Sequence, residues 1–347
     1  MNKLVKACVI ILIILVLLPL GGYLYYRTML KARPSADTNE IGFEVKEGSG
    51  SNDIIATLAD RGLIKSKFAF KVYIFLSGDS DKLKAGVFAV PANSTIPEVV
   101  DILVKGEETA NKITVIPGWR LEEIARYLNS KGVSGDFLDS AKVKNYESDF
   151  SFLQGLDGNA TLEGFLFPDT YTLSTEPSAD EFIEKALTNF QKKIQTITPA
   201  SNEELSNLYD LVKLASIVQR EAGKDKNEKK IIAGVFVDRL KKNMNLQSDP
   251  TAQYARDSLA LQKLDQKDAL SYEFWKGITE ADLNRYDSPY NTYLHKGLPI
   301  GPICTPSLDA LSAAFHPDKN DYLYFLHKNG SVIYSKTAEE HQRAKER

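Results

Sequence analysis

A glutamate at the end of a predicted helix is the first residue of this chain whose surroundings suit acid/base chemistry. The hydrophobic pattern predicts a helix over 203–221 in which Ile217 belongs to the buried stripe. Glu221 follows four residues later, so its carboxylate projects along that stripe. Apolar surroundings raise the pKa of a carboxyl group toward neutrality, which suits a proton donor. The alternative is an ordinary helix-end glutamate that points to solvent or pairs with Arg220 or Lys224.

Asp249 is a second candidate carboxylate, in the segment Gln-Ser-Asp-Pro-Thr at 247–251. Because Pro250 disfavours helical backbone in the residue before it, Asp249 is predicted to be extended or in a turn. With the neighbouring Gln247, this carboxylate could orient the acid or bind sugar hydroxyls. The alternative role for Asp249 is a helix cap or a turn.

Two further carboxylates lie among aromatic residues. Glu163 and Asp169 belong to the segment 162–171, which also contains two phenylalanines and a tyrosine. Aromatic rings stack on the C–H faces of sugars while carboxylates hold their hydroxyls, so this mixture suits a carbohydrate groove. The alternative is that these aromatics are plain core.

A long irregular segment is predicted to line one side of a binding site. It begins with Tyr290, Asn291, Thr292 and Tyr293 and continues to Pro306. Its many prolines and glycines exclude a helix or a central strand. Irregular segments of this length that are rich in tyrosine and asparagine are more often binding surfaces than connectors.

Several classes of protein and of site are excluded. A net charge of -3 and a pI near 5.9 give no electrostatic footprint for nucleic acid. The four histidines have no metal-binding spacing, and the chain contains no P-loop, nucleophile elbow or dinucleotide fingerprint. We therefore expect no cofactor and no metal ion. The two cysteines, Cys8 and Cys304, cannot form a disulfide framework.

The elements that position these residues predict an α+β fold in two modules. A small module at 41–110 is predicted as strand, helix, helix and strand, followed by a helix that opens with a capping box at Thr95. A larger module at 111–347 is predicted to contain helices over 121–131, 181–197, 203–221 and 229–240. Near its end, Asn329-Gly330 predicts a β-hairpin, with a closing helix from Thr337.

The N-terminus is predicted to be a membrane anchor. Ala7 to Tyr26 is almost wholly apolar, and about 20 helical residues span the hydrocarbon core of a bilayer. A cleaved signal peptide is disfavoured because no small-x-small site follows the apolar run. Residues 1–30 are thus predicted to be a short cytoplasmic stub with a single transmembrane helix, and residues 31–40 a linker. Basic residues on both sides of the run leave its orientation open.

Eight segments, in this order along the chain, carry a resemblance to a known family. They are Leu162-Glu-Gly-Phe-Leu-Phe-Pro-Asp-Thr-Tyr171, Leu214-Ala-Ser-Ile-Val-Gln-Arg-Glu221, Gly234-Val-Phe-Val-Asp-Arg-Leu240, Leu246-Gln-Ser-Asp-Pro-Thr251, Tyr290-Asn-Thr-Tyr293, Gly297-Leu-Pro-Ile-Gly-Pro-Ile303, His316-Pro317 and Tyr322-Leu-Tyr-Phe325. Each alone is weak, whereas the ordered set is specific. In these segments the chain resembles the YceG-like endolytic murein transglycosylases.

The resemblance implies a LysM-like module at 41–110 and a YceG-like catalytic domain at 111–347. It further implies a single-pass protein of the bacterial inner membrane whose catalytic body lies outside the cytoplasm. The family's catalytic acid ends its Ala-Ser-Ile-Val-x-x-Glu motif, which corresponds to Glu221 here. Members often have another glutamate two residues earlier, where this chain has Gln219.

The implied activity is cleavage of peptidoglycan between N-acetylmuramic acid and N-acetylglucosamine without water, leaving 1,6-anhydro ends and terminating glycan elongation. The implied partners are glycan strands and peptidoglycan synthases such as penicillin-binding proteins. One alternative is a hydrolytic muramidase that uses Asp249 or Glu163 as a second carboxylate. Another is a non-catalytic envelope scaffold that only binds glycan.

Overall fold

The chain forms two compact units, Met1–Ala110 and Asn111–Arg347. A computed structural model describes residues 3–31, 40–46, 48–106, 112–174, 176–198, 207–223 and 225–346. Within these ranges, helices predominate and the strands form three two-stranded antiparallel sheets. The predicted α+β class is confirmed.

The first unit has its own apolar core. Its elements are α1 (Lys3–Leu30), β1 (Glu40–Val45), α2 (Ser51–Asp60), α3 (Lys67–Ser77), β2 (Gly86–Pro91) and α4 (Ile96–Lys105). The order strand, helix, helix, strand and helix from β1 onward is the predicted one. Phe43 lies opposite Phe88 in the β1–β2 pair, and their rings stack with centroids 5.8 Å apart. That the unit is LysM-like stays a prediction.

The start of α4 confirms the predicted capping box. The Thr95 hydroxyl accepts a hydrogen bond from the Glu98 N–H at 3.4 Å, and the Glu98 carboxylate accepts one from the Thr95 N–H at 2.7 Å. Two amides at the helix start, which have no partner within the helix, are satisfied in this way.

The predicted membrane anchor is wrong. Among the residues described, none of the helices combines the length and the apolar character that crossing a membrane requires. At the C-terminal end of α1, Tyr26, Met29 and Leu30 are partly buried against the core of the first unit. The predicted localisation as a single-pass protein of a bacterial inner membrane required such a span and is contradicted by the same finding.

The second unit carries the candidate chemistry. Its elements are β3 (Lys112–Thr114), α5 (Leu121–Ser130), α6 (Phe137–Ser140), β4 (Thr170–Thr172), α7 (Ala179–Ile197), α8 (Leu208–Glu221), α9 (Lys226–Lys241), α10 (Asp249–Leu261), α11 (Gln266–Ser271), α12 (Glu280–Leu283), α13 (Leu308–Phe315), β5 (Tyr324–Lys328), β6 (Ser331–Ser335) and α14 (Ala338–Glu346). The helices α8, α9 and α13 pack on one another, and α8 also contacts α10. Ile217 and Val218 of α8 are fully buried, which fixes the end of the helix where Glu221 lies.

Asp249 was predicted to be extended or in a turn, but it lies in helix α10. Ser248 is the extended residue before the helix, while Asp249 and Pro250 lie in its first turn. Proline is tolerated there because the amide that it lacks would have no partner within the helix. The predicted start of α8 at 203 lies outside the described residues, as does Lys224.

The predicted hairpin near the C-terminus is confirmed. Lys328 pairs with Ser331 across a two-residue turn, and Asn329 and Gly330 have φ angles of 51° and 77°. Positive φ at both positions is what a type I′ turn requires. The closing helix α14 follows Thr337, whose hydroxyl accepts a hydrogen bond from the Glu340 N–H at 3.2 Å.

Candidate active site

Glu221 is the last residue of α8, and its carboxylate is half-buried. The hydroxyl of Ser248 donates a hydrogen bond to its Oε1 atom at 2.7 Å. The site thus joins the C-terminal end of α8 to the N-terminal end of α10. The alternative of an ion pair with Arg220 is not what the geometry favours, since that guanidinium stacks on the ring of Trp275 at 3.9 Å.

The electrostatic surroundings of Glu221 favour its protonated form. Burial, together with the nearby charge of Asp249, raises the pKa of Glu221 to about 7. The hydrogen bond from Ser248 and the charges of Arg239 and Arg220 act in the opposite direction. Burial is the largest of these effects, because a carboxylate loses hydration when apolar side chains surround it. A group with this pKa can both donate and accept a proton near neutral pH.

Three buried residues with hydroxyl groups form a hydrogen-bond network behind Glu221. Ser248, Thr251 and Thr292 are each exposed by 1% or less. The Thr251 hydroxyl donates to the Ser248 carbonyl at 2.6 Å and lies 2.8 Å from the Thr292 hydroxyl. The Thr292 hydroxyl oxygen accepts the Ser248 N–H at 3.1 Å. The hydrogen-bond network therefore connects the start of α10 to the irregular segment that begins at Tyr290.

Asp249 and Tyr293 are paired at the entrance of the site. The Tyr293 hydroxyl donates to Asp249 Oδ1 at 2.6 Å. Burial, followed by the hydrogen bond and charge of Asp249, raises the pKa of Tyr293 above its ordinary value. Asp249 is exposed and Tyr293 half-buried, so both can reach a ligand that approaches Glu221.

Gln247 is held in a left-handed backbone conformation, with a φ of 51°. Its N–H donates to the Thr292 carbonyl at 3.1 Å, while Arg239 donates to the neighbouring Leu246 carbonyl at 2.6 Å. Left-handed backbone in a residue other than glycine is uncommon and requires support from its surroundings. Here these two hydrogen bonds supply it, and the Gln247 side chain remains exposed.

Asn291 holds the backbone of the irregular segment through hydrogen bonds of its side chain. Its side chain is fully buried, and its amide nitrogen donates to the carbonyls of Leu283 and Tyr286 at 2.8 and 3.0 Å. Its amide oxygen accepts the Tyr293 N–H at 3.0 Å. These bonds set the backbone that presents Tyr293 to Asp249.

Glu163 lies in a buried polar cluster and has an exposed fraction of only 1%. Its Oε2 atom accepts the Leu121 N–H at 3.1 Å and the Tyr254 hydroxyl at 3.4 Å. Burial, and then the charge of Glu122, raises the pKa of Glu163 to about 8. Tyr290 packs its ring on Tyr254 with centroids 4.6 Å apart, which connects the irregular segment to the same cluster.

Asp169 belongs to a third location, beside β4 and α7. It accepts a hydrogen bond from the Asn189 side chain at 2.9 Å, and Lys193 lies 3.9 Å away. Its backbone carbonyl accepts the Val115 N–H at 2.9 Å. These partners attach β4 to α7 and to the strand region before α5. None of them belongs to the group around Glu221.

Of the sequence-predicted residues, the structure thus brings Gln247, Asp249, Thr292 and Tyr293 together around Glu221. Sequence reasoning missed Ser248, Thr251 and Arg239. Ser248 and Thr251 flank Asp249 in a segment that the sequence did single out, but their burial depends on contacts with residues about forty positions away. Arg239 lies in a helix whose periodicity predicted only an apolar face.

Comparison with known proteins gives consistent matches over most of the chain. The family model described as "YceG-like family" matches residues 43–347. A relative named endolytic murein transglycosylase from Bacillus subtilis is 31% identical over 341 residues, covering 94% of this chain and 90% of that protein. A protein of the same name from Streptococcus pneumoniae is 31% identical over 370 residues, covering 98% of this chain and 64% of that protein.

A solved structure is also similar. It is a crystal structure of a yceG-like protein from Listeria monocytogenes, with a TM-score of 0.57 and 30% sequence identity. The match covers 89% of this chain and all of that one.

Proposed function

We propose, from the premise that this chain belongs to the YceG-like family, that it is a peptidoglycan transglycosylase with Glu221 as its acid/base. The family prediction made from eight ordered segments is confirmed. The observation that supports the role of Glu221 most is its environment: a half-buried carboxylate with a pKa raised to about 7 and a buried serine bonded to one oxygen.

The proposed reaction cleaves the bond between N-acetylmuramic acid and N-acetylglucosamine inside a glycan strand. Glu221 donates its proton to the glycosidic oxygen, and the bond from that oxygen to the anomeric carbon breaks. The resulting carboxylate removes the proton from the C6 hydroxyl of the muramic acid, whose oxygen bonds to the same anomeric carbon. The product is a 1,6-anhydro end, Glu221 regains its proton, and no water is consumed.

A single acid/base suffices for this reaction because the nucleophile belongs to the substrate. Proton transfer of this kind contributes about 10²- to 10⁴-fold to a rate. An attacking group held within the substrate further removes the entropic cost of bringing in water. A pKa near neutrality serves both halves of the reaction, since Glu221 begins protonated and becomes ionised midway.

A hydrolytic reaction would need a second carboxylate at a defined separation from the first. Glu163 is poorly suited to this role because it is almost wholly buried and bonded to the Leu121 N–H. Asp249 is exposed, but its Oδ1 atom already accepts the hydroxyl of Tyr293. Burial thus argues against Glu163 as the second carboxylate, and the isotope experiment below tests whether Asp249 serves as one.

The other predicted binding residues divide by exposure in this proposal. Gln247, Asp249 and Tyr293 contact sugar hydroxyls, since their polar atoms are accessible beside Glu221. Asn291 and Thr292 are buried and position these groups from behind. Tyr290, Glu163 and Asp169 stabilise the surrounding elements through the contacts described above.

Isotope labelling tests the reaction type. Glycan strands are incubated with the protein in water enriched in oxygen-18, and the new chain ends are analysed by mass spectrometry. The proposal predicts ends that are one water lighter than hydrolysed ends and carry no label. Labelled reducing ends would show a hydrolase. Binding of strands without any new ends would show the scaffold alternative.

The position of the enzyme in cell-wall assembly follows from its product. An anhydro end carries no activated leaving group at its anomeric carbon, so cleavage of a growing strand would terminate its elongation. Interaction with peptidoglycan synthases stays a prediction.

A further inference from the structure

Ser248 is a buried serine with no part in the reaction as written above, yet it is bonded directly to Glu221. Its hydroxyl lies 2.7 Å from Oε1, and the residue is only 1% exposed. We propose that Ser248 is a positioning residue that keeps Oε1 as an acceptor and so assigns the transferable proton to Oε2. The inference rests on the proposed function, because it adds a second residue to the same acid/base site.

Two threonine hydroxyls hold the backbone of Ser248 in place. Thr251 has one hydroxyl hydrogen, which it donates to the Ser248 carbonyl. In the 2.8 Å contact between the two threonine hydroxyls, Thr292 must therefore be the donor. The Thr292 oxygen in turn accepts the Ser248 N–H. The threonine hydrogens are thus both engaged, and these bonds hold the backbone of Ser248, from which its hydroxyl donates to Glu221.

The place of Ser248 in α10 gives an independent argument. It precedes the first turn, where a serine side chain ordinarily accepts a hydrogen bond from an amide of its own helix. Here that cap is absent, although the backbone is extended as a cap requires. The hydroxyl is bonded to Glu221 instead. The start of α10 therefore lacks a capping hydrogen bond that would ordinarily stabilise it. Such a loss is expected where a side chain serves function rather than stability.

The consequence for Glu221 is a fixed division between its two oxygens. A hydroxyl that donates to Oε1 competes with protonation of that atom, so a proton on the carboxyl group goes to Oε2. The same bond favours the ionised form, which is needed midway through the reaction. Proton transfer depends on alignment, and a misplacement of about 1 Å can reduce a rate by about 100-fold.

Charged and titratable groups from every packed element also face Glu221. They are Arg220 on α8, Arg239 on α9, Asp249 on α10 and Tyr293 in the irregular segment. Ser248 is neutral across the working pH range, so its effect adds a constant contribution to theirs. Replacing it should shift the titration of Glu221 without removing any neighbouring charge.

The test is Ser248→Ala in the full chain, with two measurements. Carbon-13 NMR of labelled glutamate side chains gives the pKa of Glu221 without substrate, and Glu221→Gln identifies its signal. The pH dependence of kcat on glycan strands gives the second. We expect the pKa and the basic limb of the profile to rise together by about one pH unit, since a hydrogen bond to a charged group is lost. We expect kcat to fall by about 10- to 100-fold because the carboxyl group loses its orientation.

Ser216→Ala is the matched control. Ser216 is equally buried, lies in α8, and bonds through its hydroxyl to the Lys213 carbonyl and the Ile303 N–H. A merely structural loss of a buried hydroxyl should leave the Glu221 titration where it is. Ser248→Thr keeps the hydroxyl donor and should leave the pKa of Glu221 close to its value in the original protein.

The outcomes separate this inference from the proposed function. An unchanged Glu221 titration in Ser248→Ala overturns the role of Ser248, even if Glu221→Gln is inactive. Full cleavage by Glu221→Gln overturns the proposed function, whatever Ser248 does to the titration. If Ser248→Ala has no cooperative melting transition, Thr292→Val replaces it. That variant loses one hydroxyl of the hydrogen-bond network that holds Ser248. A rise in the pKa of Glu221 that is smaller than the one expected for Ser248→Ala supports the inference, whereas no rise overturns it.

Discussion

The pKa of Glu221 couples the candidate site to the stability of the protein. In the unfolded chain the carboxyl group ionises near its ordinary value of 4.5, and in the folded protein near 7. Because the folded pKa is the higher one, its contribution to stability is full below about pH 4.5 and is lost as the pH rises to about 7. The carboxylate therefore destabilises the protein at pH 8, where Glu221→Gln removes the buried charge.

We expect Glu221→Gln to melt at a higher temperature than the original protein at pH 8, with little difference at pH 4.5. Calorimetry at both pH values measures this. Glu280→Gln, at an exposed position on α12, is the control and should leave the melting temperature unchanged. A Glu221→Gln gain that is equal at the two pH values would contradict a raised pKa.

Glu163 tests the buried cluster in another way. Its side chain satisfies the Leu121 N–H at the start of α5. Glu163→Ala leaves that amide without an acceptor and leaves a cavity in place of the side chain. We therefore expect a loss of about 2 to 4 kcal/mol in the free energy of unfolding. Glu163→Gln keeps an acceptor oxygen and should cost less. Urea unfolding compares the two, and equal losses would argue against the bond to Leu121.

At the residue scale, the sequence could predict the apolar surroundings of Glu221 but not its hydrogen-bond partner. Four-residue spacing from Ile217 placed the carboxylate beside an apolar stripe, and helical periodicity is a local property. Ser248 meets Glu221 only because α8 and α10 pack together. Its burial and its missing cap follow from tertiary packing, for which a single sequence provides no signal.

At the element scale, the same division between local and distant signals holds. The Thr95 capping box and the Asn329-Gly330 turn are set by neighbouring residues, and both were predicted. The pairing of β3 with β4 joins Lys112 to Thr172, and no local pattern indicates it. The conformation of Asp249 was predicted wrongly, because a following proline suggests an extended residue or a turn, whereas in the first turn of α10 proline is compatible with a helix.

A close approach of α9 to the segment after α13 depends on Gly234. A Cβ atom there would lie 2.2 Å from the backbone oxygen of Asp318 and 2.5 Å from the Asn320 side chain. Since backbone cannot yield as a flexible side chain can, we expect Gly234→Ala to destabilise the protein by about 1 to 3 kcal/mol. Denaturant unfolding measures the change.

Gly277→Ala is the matched control for this prediction. No atom lies within 4 Å of the added Cβ position, and Gly277 is not among the glycines with positive φ. Its free energy of unfolding should change by less than about 1 kcal/mol. If Gly234→Ala is as stable as Gly277→Ala, α9 does not need a glycine at this contact.

At the scale of the whole molecule, composition and order of segments gave the α+β class and the family. The hydropathy of residues 7–26 also suggested a membrane anchor, and there the whole-chain prediction was wrong. Hydropathy is a property of the segment alone and does not show what covers it. In the described part of α1 the large apolar side chains from Leu15 to Tyr25 are mostly exposed, and only Tyr26, Met29 and Leu30 at its end pack against the core of the first unit.

The whole-molecule proposal depends on one acid/base in the second unit, and chain-end analysis of purified glycan strands tests it most directly. The original protein should produce 1,6-anhydro ends, and Glu221→Gln should produce them about 10²- to 10⁴-fold more slowly while remaining folded. Formation of anhydro ends by Glu221→Gln at the original rate would contradict the account.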